Sequence, residues 1–349
     1  MNRTMHRSLS LAALLAGLCL YSLTAHAQNA TWLATTTGGA WNTGSNWDTG
    51  VVPNSSTAIA TFNAVSGQAY NVSIFKNESF TVGTLNLVGD VGGGPVLNTV
   101  FGTLKFDGAA TINAETHPAA GSGINVNLVF LQNATINTTF ADSLLNFSSP
   151  SVTGSPGVSL TKIGPGEVEF GSDSAISLTG ALNVNNGTLT IFNALDVGAS
   201  AGAKANVGTL KIANATVNVA GQLRITSGGV LALDTGFAIN GPFVNGSFAP
   251  NFQITGDGGT IRTLAALTIP NNVALNAGGV ILDSNGFDST FSGTFTGSGG
   301  LTKISAGTVT LTADNSYSGD TTIQDGTWLW GRQAPAKPYQ RLWEQETFF

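Results

Sequence analysis

Leu160-Thr161-Lys162-Ile163-Gly164-Pro165-Gly166-Glu167-Val168-Glu169-Phe170 returns further along the chain as Leu301-Thr302-Lys303-Ile304-Ser305-Ala306-Gly307-Thr308-Val309-Thr310-Leu311. Each copy leads, through polar residues, into a second strand-turn unit. The first unit ends Asn186-Gly187-Thr188-Leu189 and the second Asp325-Gly326-Thr327-Trp328. Apolar and polar residues alternate within both copies, which marks strands with one buried face. The same period of two recurs at residues 71–75, 84–88, 103–106, 124–130, 188–192, 209–212 and 216–219. Turn pairs separate the runs: Asp107-Gly108, Asn186-Gly187, Asn245-Gly246, Asn285-Gly286 and Asp325-Gly326. Asn and Gly tolerate positive φ and turn a chain at low steric cost. Short, evenly spaced strands suit either an antiparallel sandwich or barrel or a parallel solenoid, and internal repetition favours the solenoid. The expected fold is all-β: a right-handed parallel β-helix (β-solenoid) with an N-terminal aromatic cap.

Only 9% of the 349 residues are charged, against about 25% in an average soluble domain. Stacked coils bring like charges within a strand spacing of each other, where they repel, so a solenoid accounts for the deficit. The net charge of -6 removes the basic footprint of a nucleic-acid binder, and no nucleic-acid partner is expected. Residues 1–27 have the three parts of a secretory signal peptide: Arg3 and Arg7, an apolar run over 9–20, and Ala25-His26-Ala27 before the cleavage point. The run is too short to span a bilayer, so no transmembrane span is expected after cleavage. The single cysteine, Cys19, lies inside this segment, which leaves the mature chain without disulfides or thiolate chemistry.

Trp32, Trp41 and Trp47 crowd the start of the mature chain. A solenoid must cover its first coil, and large aromatics do this well, so they are read as a cap. The alternative is a platform on which sugars stack. Other candidates for chemistry are weak. His117 is the one histidine after the signal segment and lies in a loop-like stretch. Gly198-Ala199-Ser200-Ala201-Gly202 matches the nucleophile-elbow pattern by composition alone, since no histidine follows it. Glu167 and Glu169 share a strand face roughly 6.5–7 Å apart, within the span of an inverting glycosidase pair. The second copy carries Thr308 and Thr310 there, however, so the coil does not require acids. Asp283-Ser284-Asn285-Gly286-Phe287-Asp288 places its glycine fourth, where an EF-hand calcium loop needs it sixth, and is read as an Asn-Gly turn. No catalytic, cofactor-binding or metal residues are assigned, and no cofactor is expected.

The units at residues 159–192 and 297–328 resemble the autotransporter-associated β-strand repeat, also called the passenger-associated transport repeat. Gly299-Gly300-Leu301-Thr302-Lys303, Gly307-Thr308-Val309, Asn315-Ser316-Tyr317-Ser318-Gly319 and Gly326-Thr327 carry the likeness. The earlier copy departs from the pattern, with Val158-Ser159 in place of the glycine pair, Glu167 in place of threonine, and no Tyr-x-Gly. The resemblance implies an exported surface protein with a β-helical stalk, often the passenger of an outer-membrane autotransporter, whose repeats assist folding and export and have no catalytic role.

The expected organisation is a signal peptide over 1–27, a Trp-rich cap over 28–70, a solenoid over 71–330 and a divergent tail over 331–349. The tail gains Arg332, Lys337, Arg341, Glu344 and Glu346 within nineteen residues, together with Pro335 and Pro338. It is read as out-of-frame sequence, with a short polar cap as the alternative. The expected product is a secreted or cell-surface passenger or stalk, associated with the outer membrane if a barrel is encoded downstream. It is expected to be monomeric, non-enzymatic and adhesive, with surface glycans or extracellular matrix as partners. The competing readings are a β-helical carbohydrate-active enzyme and a glycan-binding module.

Overall fold

In a computed structural model, strands, most of them two to six residues long, recur along the chain and pair in parallel with strands one coil away. The structure describes residues 28–33, 38–64, 71–89, 96–115, 122–149, 151–198, 202–241, 243–244, 247–331 and 340–341. The expected signal segment, His117, residues 199–201 and most of the tail lie outside this set. About 11 coils stack into a β-solenoid. The described residues contain no α-helix, only a 3-10 turn at Gly44–Asn46, and none of their helices is long and apolar enough to cross a membrane.

Each coil contributes one strand to each of three ladders. One turn reads Leu160–Ile163, Glu167–Phe170 and Ala175–Leu178, and the next reads Leu182–Val184, Thr188–Ile191 and Ala194–Val197. In the second ladder Val168, Leu189, Leu210 and Leu231 are direct neighbours, so these coils are 21 residues long. Inward positions stack like on like, because a parallel register with no slip keeps each buried side chain above its equivalent. Phe147 lies on Phe170 with ring centroids 4.7 Å apart and planes 15° apart. Outward rows are polar. Asn113 Nδ2 donates to Asn86 Oδ1 at 2.9 Å, and Asn86 Nδ2 donates to Thr61 Oγ1 at 3.3 Å. Asn240 and Asn218 continue the same device onto Asp196 in the third ladder.

The ladders run back into the stretch expected to be a separate cap. Ala30–Thr31 pairs with Ala60 and Thr61, and Gly38–Ala40 pairs with residues 71–73, so the first coil is already solenoid. At the other end Gln340–Arg341 pairs with Thr322 and Ile323. Coil length varies along the chain, from 30 residues between Ala30 and Ala60 to 21 between Val168 and Leu189, and one later coil is long again. Leu231 and its neighbour Ile261 are 30 residues apart, and the extra length includes an antiparallel pair, Phe243–Val244 with Ser247–Phe248. Asn271, almost fully buried, closes this irregular coil by donating to the Ile239 carbonyl at 3.0 Å and the Phe252 carbonyl at 2.9 Å.

Candidate functional site: the lysine corners and the aromatic end

Period-two parity decides which lysines enter the core. Lys211 follows Leu210 directly and so faces outward, whereas Lys162 and Lys303 follow Leu160 and Leu301 by two residues and face inward with them. Lys162 is 1% exposed and Lys303 0%. Lys162 occupies an inward row between Ile136 and Val184, and Lys303 one between Leu282 and Ile323. The sequence reading missed both, although the parity relative to Leu160 and Leu301 is plain in the sequence.

An ammonium in an apolar stack is tolerated only if oxygen atoms replace the water it loses. Both lysines reach the adjoining corner and find such a set. Lys162 Nζ donates to Thr138 Oγ1 at 2.9 Å and to the carbonyls of Ile163 (2.9 Å), Gly164 (2.8 Å) and Asn186 (3.2 Å). Lys303 Nζ donates to Ser284 Oγ at 2.7 Å and to the carbonyls of Ile304 (3.0 Å), Ser305 (2.5 Å) and Asp325 (3.2 Å). The two cages match group for group: a hydroxyl from the coil before, two carbonyls of the lysine's own corner, and one from the turn of the coil after. Burial lowers the Lys162 pKa to about 8, with Glu167 pulling the other way, so the group stays protonated at neutral pH. Burial also lowers Lys303, partly offset by Asp325, Asp283 and Asp288. The glycine of each turn makes room for the cation: a Cβ on Gly187 or on Gly326 would stand 2.8 Å from the lysine Nζ.

The two cages do not occupy the same corner. Lys162 belongs to the first ladder and Lys303 to the second, traced through the pairings of Lys162 with Val184 and of Leu282 with Lys303. The repeat is therefore set one face further round the solenoid at its second occurrence, and the cage forms there unchanged.

The aromatic end is a sealed cluster. Trp32, Trp41 and Trp47 are at most 2% exposed. Trp47 meets Trp32 edge-on at 5.2 Å and Trp41 at 5.0 Å, and Phe62 and Phe80 pack against Trp41 at 5.8 and 5.9 Å. Trp41 Nε1 donates to the Pro53 carbonyl and Trp47 Nε1 to the Trp41 carbonyl, so both polar edges are satisfied inside the protein. No face of these three rings is open to a ligand in this conformation.

Glu167 and Glu169 are half-buried on the outer face and already engaged. Thr190 Oγ1 donates to Glu167 at 2.6 Å and Asn146 Nδ2 to Glu169 at 3.1 Å. The loop at Asp283 is held by protein groups. Arg262 Nε donates to Asp283 at 2.7 Å, as do Ser305 Oγ at 2.7 Å and the Asn285 amide at 2.9 Å. Among the described residues no cluster of three or more His, Cys, Asp or Glu is placed to hold a metal ion.

Burial works against the Asp283 charge, but the hydrogen bonds from Ser305, Arg262 and the Asn285 amide outweigh it and hold the carboxyl below its usual 3.8. A carboxylate with a depressed folded-state pKa adds stability above the unfolded pKa, and that stability is lost as the pH falls through the folded value. Urea unfolding from about pH 5 to about pH 2 should therefore show a steeper loss of stability in the wild type than in Asp283→Asn. Parallel acid limbs in the two proteins would mean the carboxylate contributes nothing.

The Passenger-associated-transport-repeat family model matches residues 160–191 and 301–327, the two segments that carry the caged lysines. The chain is also 31% identical over 164 residues to the "Adhesin BmaC autotransporter" of Brucella suis biovar 1 (strain 1330). That similarity covers 44% of this chain and 4% of the relative, so the chain spans a small fraction of the length of the curated protein it matches. Two segments of this solenoid thus match the passenger-associated transport repeat, each carrying a caged lysine, and part of the chain is similar to an autotransporter adhesin.

Proposed function

We propose that this chain is a secreted or surface-displayed passenger stalk, non-enzymatic and adhesive, whose two repeats help the solenoid fold during export. The observation that carries the reading is the use of the buried polar groups. Lys162, Lys303, Thr138, Ser284 and Asn271 are all engaged in holding coil to coil, and the two outer-face glutamates are bonded along the stack. A rod of about eleven coils would reach roughly 50 Å at 4.8 Å per coil and present rows of Thr and Asn with little charge. Such a face suits broad, weak contact with neutral surface glycans or matrix protein. The burial of the three tryptophans supports the cap reading over the sugar-stacking one.

The relative's name supports adhesion, and the repeat family supports export. Two measurements test the reading. Beads coated with the purified chain should be retained on immobilised matrix protein or neutral polysaccharide above an albumin-coated control, and the same chain should release no reducing ends or unsaturated products. Retention equal to the control would remove the adhesive role, and product release would remove the non-enzymatic one. In the producing cell, external protease should digest the chain without lysis; protection until lysis would overturn surface display.

A further inference from the structure

We propose that Lys162 and Lys303 are interlocks: each ammonium fastens three successive coils at one corner, so the repeat folds as a three-coil unit whose corner closes only when the following coil has docked. The inference deepens the folding role proposed for the repeats and rests on that reading. Ordinary solenoid rows couple a coil to its two neighbours, and stability is then a sum of intrinsic and nearest-neighbour terms. The cages add something different. Thr138 belongs to the coil before Lys162 and Asn186 to the coil after it, so one cation joins coils whose strands do not pair with each other. Ser284 and Asp325 stand in the same relation to Lys303.

Order of assembly follows from the cost of burying a charge. Before the following coil docks, the ammonium is open to water on that side and lacks only the last carbonyl. Once it docks, water is gone and the oxygen set is complete. A half-made corner, dry but with one side of the charge facing no oxygen, is the expensive state, so closure of the corner and docking of the coil become one event. Because the same cage forms at two different corners, the lysine and the glycine turn that follows it carry the device, and the corner's own shape does not.

Amide hydrogen exchange on the purified full chain tests this. Lys162→Met removes the cation and keeps most of the side-chain volume; Lys211→Met, on the outer face, is the control. Four amides report on the three coils: Thr139 (bonded to Ala114), Glu167 (to Ser143), Asn185 (to Lys162) and Thr188 (to Gly166). All four should exchange about tenfold faster or more in Lys162→Met, the size expected for losing a charged hydrogen bond, and should be unchanged in Lys211→Met. Acceleration confined to the 163–166 corner, acceleration spread evenly along the whole solenoid, or none at all would overturn the interlock. If Lys162→Met does not fold, Thr138→Val decides. It removes one acceptor from the coil before, and the Thr188 amide of the coil after must still accelerate; a silent Thr188 ends the proposal. Exchange on purified protein can fail while surface display stands, and display can fail with the interlock intact, so the two readings are separable.

Discussion

Trp41→Ala is expected to lower the stability of the N-terminal coils by about 3–5 kcal/mol, the range for deleting a large buried aromatic. Trp41 is 0% exposed and touches Trp47, Phe62 and Phe80 at once. Its removal opens a cavity at the point where the first coil meets the second. The loss should not stay local, because Trp41 Nε1 holds the Pro53 carbonyl and the Trp41 carbonyl holds Trp47. A long array does not unfold in a single step, so the measurement is urea unfolding followed by both tryptophan fluorescence and far-ultraviolet circular dichroism. The part of the fluorescence change that comes from Trp32 and Trp47 should move to much lower urea and separate from the part from Trp328 and Trp330 at the other end and from the dichroism transition, which reports the whole solenoid. Phe75→Ala, at a position 48% exposed, should shift neither by more than about 0.5 kcal/mol. Coincident, unshifted transitions in Trp41→Ala would mean the cluster does not hold the end closed.

Gly187→Ala and Gly286→Ala form the second large contrast. Both glycines follow an asparagine in a turn and both have positive φ, +66° and +86°. Forcing an alanine into that region costs roughly 1–2 kcal/mol at either site. Only Gly187 carries a further penalty. Its added methyl would collide with the Gly166 and Gly164 carbonyl oxygens and stand 2.8 Å from Lys162 Nζ, whereas a methyl on Gly286 meets nothing within 4 Å. Overpacking of this kind adds about 1–3 kcal/mol, so Gly187→Ala should cost about 2–5 kcal/mol in total. Equal losses at the two positions would show that backbone conformation alone, and not the lysine cage, makes glycine necessary at residue 187.

Much of this was legible in the sequence because it depends on local rules. The period of two in Thr84-Leu85-Asn86 or Thr188-Leu189-Thr190-Ile191 fixes which residues face inward, and Asn186-Gly187, Asn285-Gly286 and Asp325-Gly326 fix turns. Asp107-Gly108, expected as a turn, lies within the strand Val96–Glu115, and Asn245-Gly246 lies outside the described residues. Recurrence of the Leu-Thr-Lys unit identified coils stacking on coils. The same parity places Lys162 and Lys303 on the buried face, but which oxygen atoms meet each ammonium is set by the coils before and after, which local pattern does not show. The Trp-rich start was recognised as special. Its own membership of the ladders could not be read, because Ala30–Thr31 and Gly38–Ala40 are too short to show a period and are held by partners 30 or more residues away.

The sequence by itself determined the strands, their buried faces, the turns and the repeat, since each is set by residues within a few positions of one another. Only the tertiary structure decided that the two repeats start on different faces, that four oxygen atoms from three coils surround each lysine, and that Asn271 closes the long coil after Leu231. Those outcomes depend on register summed over every preceding turn. The 30-residue step from Leu231 to Ile261 leaves the second ladder unbroken, whereas the third ladder stops at Asn240 and resumes from Thr268 in a separate sheet.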